Sequence, residues 1–217
     1  MSNRINKISL ALLVSLLGAT AAWASDVYID QAGSTTTIDI TQTGSGNTVG
    51  SSGTASTIIG SNSDIDVTQT GAGNTADIET ATGASDTKID YTATGGSNIL
   101  DVDISTATDT TVTAVITGDS NEVTVCGTLA TDASSVGSAT CSTEVSANTT
   151  TTNLAITGDG NKIATGLDAA SAVNNITLGA NTVSDYNVVN LKQSGTDVPV
   201  VTLNVDGSSN AVNITQN

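Results

Sequence analysis

A repeat constrains this chain more than any other feature. The stretch Ile65 to Ile78, IDVTQTGAGNTADI, sets a fourteen-residue pattern that returns along most of the sequence. Its copies are marked by G-x-[GS]-N tetrads at Gly44 to Asn47, Gly71 to Asn74, Gly95 to Asn98, Gly118 to Asn121, Gly158 to Asn161 and Gly207 to Asn210. With each tetrad Asn as zero, positions −9, −7 and −5 are mostly apolar: Ile38, Ile40, Gln42; Ile65, Val67, Gln69; Ile89, Tyr91, Ala93; Val112, Ala114, Ile116; Thr152, Leu154, Ile156; Val201, Leu203, Val205. Positions +2 and +4 keep the same parity, as in Ala76 and Ile78 or Leu100 and Val102. Period-two alternation on both sides of a glycine turn predicts strand, arch, strand with one face buried. Repeated at this period, such units stack, so the expected fold is an all-β solenoid of strand-arch-strand rungs.

Composition agrees with a thin core. The chain has no Phe, no His, one Pro, 21 Gly and 2% aromatic residues, too few large side chains to fill a wide interior. One layer of Ile, Val, Leu, Ala and Thr per rung needs none. The tetrad glycines suit the positive φ of a tight arch, and an inward Asn beside them can bond the Asn of the next rung or the arch backbone.

Residues 1–24 have the form of an export signal. Arg4 and Lys7 precede the apolar run Ile8 to Leu17, and Ala22-Trp23-Ala24 supplies a small-x-small cleavage site, so the mature chain is expected to start at Ser25, secreted or at the cell surface. No later segment is long and apolar enough for a membrane helix, and no membrane insertion is expected. Beyond residue 24, Lys88, Lys162 and Lys192 face all 21 acidic residues. That charge disfavours nucleic acid and anionic surfaces as partners.

The repeat Asn residues step from Asn47 to Asn74, Asn98 and Asn121 by 27, 24 and 23 residues, then by 40 to Asn161 and by 49 to Asn210. The 40-residue step is read as one repeat plus an insertion, 126–151, and Cys126 and Cys141 inside it are expected to form a disulfide. The 49-residue step is read as two repeats, with a worn copy near Gly179-Ala180-Asn181 or Val189 to Gly195. From Asp26, Val27, Ile29 and Gln31 match the −9, −7 and −5 positions of half a repeat.

The pattern resembles the curlin repeat, S-x5-Q-x-G-x2-N-x-A-x3-Q, of the subunits of curli, an extracellular amyloid of bacterial biofilms. Ser63, Gln69, Gly71, Asn74 and Ala76 match it, with Thr80 in place of the last Gln; Gln42, Gly44 and Asn47 match in the first full repeat, and Gly207, Asn210 and Gln216 in the last. The −5 Gln is replaced by Ala93, Ile116, Ile156 and Val205. The resemblance implies a structural subunit of a fimbrial fibre for surface adhesion and biofilm matrix, grown by templated addition of one subunit to another. It also implies export through a curli-type secretion pore with its chaperones.

The residues expected to matter are therefore structural. They are the ladder amides Gln42, Asn47, Gln69, Asn74, Asn98, Asn121, Asn161, Asn210 and Gln216, and the arch glycines Gly44, Gly71, Gly95, Gly118, Gly158 and Gly207. Outward Asp39, Asp66 and Asp90 share position −8, and Asp77 and Asp101 share +3. Stacked carboxylates either hold divalent cations or act as solvated gatekeepers that slow assembly, and without a G-G-x-G-x-D calcium motif the second reading is preferred. No catalytic residues, cofactor or metal are expected: there is no His, no G-x-S-x-G elbow, and the acidic residues repeat instead of converging. The alternative is an autonomous solenoid binding module of adhesin or ice-binding type. Thr41, Thr68 and Thr92 begin a threonine row at −6 that Val115, Ala155 and Asn204 interrupt.

Overall fold

The structure is a computed structural model and describes residues 11–17, 25–44, 46–50, 56–71, 73–80, 84–95, 97–104, 108–118, 120–126, 149–157, 160–161, 163–167, 171–178, 187, 189–193, 200–206, 209–210 and 212–216. Among these residues the regular structure is all strand. One sheet holds β1 (Ala11–Leu17), β4 (Thr36–Thr43), β7 (Ser63–Thr70), β9 (Ser85–Thr94), β11 (Thr108–Thr117), β13 (Thr149–Thr157), β15 (Ser171–Leu178) and β17 (Val200–Val205), neighbours in that order. The second holds β2 (Ser25–Val27), β5 (Asn47–Val49), β8 (Ala76–Thr80), β10 (Ile99–Ile104), β12 (Glu122–Cys126), β14 (Ala164–Leu167), β16 (Val189–Gln193) and β18 (Val212–Gln216), with β3 (Asp30–Ala32) and β6 (Ser56–Ile59) extending its N-terminal end. Every pairing is parallel, and equivalent repeat positions lie side by side, as in Ile38↔Ile65↔Ile89↔Val112↔Thr152. The fold is a parallel β-solenoid.

The alternation explains the core. In β4 and β7 every second residue is buried, and Ile65, Val67 and Gln69 are each at most 2% exposed. The facing strands contribute Ala76, Ile78, Leu100, Val102, Val123 and Val125, all buried. Tyr91, the largest fully buried side chain, needs extra room in so thin a layer. It lies beside Ala114 in the next rung, and Ala93 takes the −5 place that Gln69 fills in the rung before. Small neighbours balance the ring's volume.

Four segments depart from the sequence reading. Ser25–Val27 pairs with Asn47–Val49 in the second sheet, so Val27 occupies a +2 position and not the −9 position its spacing suggests. Alternation fixes a face but not which arm of the rung a half-repeat joins. Ser56–Ile59, in a stretch that carries no tetrad and no repeat position, is a strand paired to both β3 and β8. Ala11–Leu17, inside the expected export signal, continues the first sheet against Thr37–Thr43, because a bare parallel edge accepts an extended segment that satisfies its backbone groups. The worn repeat is β15 and β16, with Asn187 at its tetrad position. The insertion between β12 and β13 leaves the stack intact: Thr110–Thr117 pairs directly with Thr150–Thr157. Cys141 and 127–148 around it lie outside the described residues, and with them the expected disulfide.

Candidate functional site

At each arch the chain turns between −5 and zero, which delivers the tetrad Asn to the same inward corner in every rung. The amides join into one column. Nδ2 of Asn74 donates to Oδ1 of Asn47 (2.9 Å), Asn98 to Asn74 (2.6 Å), Asn121 to Asn98 (2.7 Å), Asn161 to Asn121 (2.7 Å), Asn187 to Asn161 (2.7 Å) and Asn210 to Asn187 (2.6 Å). Asn98 and Asn121 also donate to the arch carbonyls of Gly95 and Gly118, both at 2.9 Å. Asn47 through Asn187 are buried, and Asn210, in the last rung, is exposed. Each amide thus satisfies its neighbour where water cannot, as in the Asn ladders of cross-β stacks. All the inter-rung donors point toward the N-terminal end.

A shorter Gln column runs beside it. Gln69 Nε2 donates to Gln42 Oε1 (2.8 Å) and to the Thr75 carbonyl (2.8 Å), and Gln42 Nε2 donates to the Thr48 carbonyl (2.9 Å). Ala93 ends the column, and the Tyr91 hydroxyl closes it by donating to Gln69 Oε1 (2.8 Å). Burial pushes the Tyr91 phenol above its usual range, so it stays a donor. Gly44, Gly71, Gly95 and Gly118 have φ between +138° and +148°, and a Cβ at Gly95 would overlap the Gly71 carbonyl of the preceding rung. The glycines serve both the turn and the close stacking of arches. Gly158 and Gly207 lie outside the described residues. Gln216 pairs through its backbone with Gln193.

The acidic residues stack as their spacing implies, but a cation of the chain itself joins them. Asp39, Asp66 and Asp90 are neighbours along the first sheet. Lys88 lies one strand from Asp64 and bonds its carboxylate (3.3 Å) as well as that of Asp90. Burial, with Asp64, Asp90 and Asp39 nearby, raises the Asp66 pKa above the usual carboxylate value, an effect that Lys88 partly offsets. On the second sheet Asp77 lies beside Asp101, and burial, with Glu79 adding to it, pushes Asp77 up to about 6. Among the described residues no group of three or more His, Cys, Asp or Glu side chains is arranged to hold a metal ion.

Register also reveals what the −6 row alone conceals. Position −4 carries Thr43, Thr70, Thr94, Thr117 and Thr157, neighbours in five successive strands and all exposed. The signal is in the sequence as the Thr preceding the first five tetrad glycines, one alternation beyond −6; before Gly207 the place is taken by exposed Asp206. Asn187 was missed for a different reason. Leu178 aligns with Val205, a −5 position, yet eight residues instead of four separate it from the next ladder Asn.

The last rung is open. Val212 and Ile214, of inward parity, are 45% and 46% exposed, and Val201, Leu203 and Val205 are only partly buried. β17 and β18 each have one neighbour, so their outer backbone edges are unpaired among the described residues. Fold and ladders together define a parallel β-solenoid built on amide columns, a class compatible with a structural or adhesin-like role. No protein-family model, curated protein or solved structure matches the chain.

Proposed function

We propose that the chain is a structural subunit of an extracellular, curli-like amyloid fibre for surface adhesion and biofilm matrix, assembled by stacking one solenoid end on another. The observation that carries this reading is the Asn column that runs unbroken to exposed Asn210, beside exposed Val212 and Ile214 and two strand edges that are unpaired among the described residues. A second copy adding its N-terminal rung there buries the valine and isoleucine and pairs both edges, with Ser25 of the incoming copy, which lies over its own Asn47, meeting the end of the column. Its partner is therefore itself, or a related subunit. The curlin-like tetrads favour delivery by a curli-type secretion pore and chaperones, after removal of residues 1–24.

Fibre diffraction and electron microscopy, on chain diluted from denaturant, test the proposal. Filaments with a meridional reflection near ~4.8 Å that seed fresh monomer are expected. A stable monomer that neither forms nor elongates filaments refutes it.

A further inference from the structure

On the outer face of the first sheet, outward side chains of β4, β7, β9, β11 and β13 form four columns. The two columns nearest the strand starts, −10 and −8, hold ten residues, of which Asp39, Asp64, Asp66, Lys88 and Asp90 are charged. The two nearest the arch, −6 and −4, hold ten with no charge, although the chain carries 21 acidic residues. All ten are exposed. At −4 every residue is Thr. At −6, Thr41, Thr68 and Thr92 give way to Val115, 46% exposed, and Ala155, so the hydroxyl is lost while a methyl is kept. Strand propensity favours Thr and Val alike at such positions, so the distinguishing feature is the absence of charge from ten exposed places on so acidic a chain.

The array is regular in two directions. Paired residues repeat about 4.8 Å apart along the stack, and −6 and −4 lie about 6.6 Å apart along each strand. Five rungs make the patch about 19 Å tall. Threonine is stiff at χ1, so methyls and hydroxyls sit in fixed orientations and lose little entropy against a rigid partner. We infer that this neutral, methyl-rich threonine face binds ice, whose lattice has oxygen rows with repeats close to both spacings.

Other occupants fit less well. The two columns contain no aromatic ring on which a sugar could stack, no Trp, Tyr or Arg to anchor a protein partner, and no carboxylate for a cation. Methyls in regular rows order the water between them, and the hydroxyls bond that water into the crystal. The face lies beside the stacking axis, so it stays open whether or not copies add end to end.

Partition into a slowly growing ice front tests the inference, with an inert soluble protein as reference. The purified chain is expected to be enriched in ice several-fold over the reference and to inhibit ice recrystallisation. Thr94→Lys, in the middle of the array, is expected to remove both effects, whereas Thr113→Lys, outward in the neighbouring column, retains them; circular dichroism and melting confirm that both variants fold. Exclusion of the wild-type chain from ice overturns the inference, as does wild-type partition by Thr94→Lys. Retention on crystalline cellulose without ice uptake overturns it in favour of a polysaccharide surface. Concentration-dependent lateral pairing that Thr94→Lys abolishes, again without ice uptake, overturns it in favour of a second copy.

Discussion

Replacing Asn98 by Ala tests whether the amide column acts as a chain of linked bonds. Asn98 donates to Asn74 Oδ1 (2.6 Å) and to the Gly95 carbonyl (2.9 Å), and accepts from Asn121 Nδ2 (2.7 Å). All three Asn side chains are fully buried, so the truncation leaves two acceptors and one N–H short of partners. The Gly95 carbonyl is only part-buried, so two fully buried groups are stranded, and at about 1–3 kcal/mol each the loss is about 2 kcal/mol at the low end. The assay is urea denaturation of monomeric chain, with exposed Thr92→Ala as a control expected to stay within about 0.5 kcal/mol. Linkage between rungs is tested by the Asn74→Ala, Asn98→Ala double variant. Asn74→Ala removes the acceptor that Asn98→Ala would orphan, so the double variant should fall short of the sum by about 1 kcal/mol or more. If Asn98→Ala changes stability no more than Thr92→Ala does, or if the two ladder substitutions simply add, the column is not a cooperative ladder.

Three further outcomes follow from the same geometry. Gly95→Ala should destabilise by about 3 kcal/mol or more, since its φ of +148° and the Gly71 carbonyl both oppose a Cβ; Gly44→Ala, with φ +138° but no described atom within 4 Å of the added carbon, should cost less, and the gap in their urea midpoints measures the arch stacking. Asn174→Val should stabilise by about 2 kcal/mol in thermal melts, because Asn174 is fully buried in the column of Ile89, Val112 and Thr152 and neither amide atom has a hydrogen-bond partner among the described residues. Asp77, ordinarily near 3.8 and here about 6, takes up its proton earlier in the folded chain than in the unfolded one. Folding is therefore favoured below pH 3.8 and loses stability as pH rises to about 6; Asp77→Asn should flatten that slope and raise stability at pH 7 by about 1 kcal/mol after allowance for solvent screening of a partly buried group.

How much of this was legible in the sequence depended on whether a feature is set by local alternation or by alignment between distant rungs. Inward positions such as Ile65, Val67 and Gln69 could be read directly, because period two fixes a face within a single strand. The arch glycines were equally readable: the turn demands them wherever it occurs. What period two does not supply is the arm a segment joins, and so Val27 and Gln31, read as first-arm positions, lie in the second sheet. Nor does it register an arch that grows, and the four extra residues between Leu178 and Asn187 removed the tetrad while leaving the ladder corner in place.

The outer face shows the same distinction at the level of function. An inward ladder must be complete, since each missing amide strands a neighbour away from water, so its Asn residues recur rung after rung. An outward residue answers to no such demand, and the acidic row accordingly changes to Thr113 and Asn153 once past Asp90. The −4 threonines recur through five rungs without any burial to require them. Burial accounts for the Asn column; strand propensity and cross-strand Thr pairing favour the exposed threonines, and partition into ice measures whether a regular surface beyond the protein uses them as well.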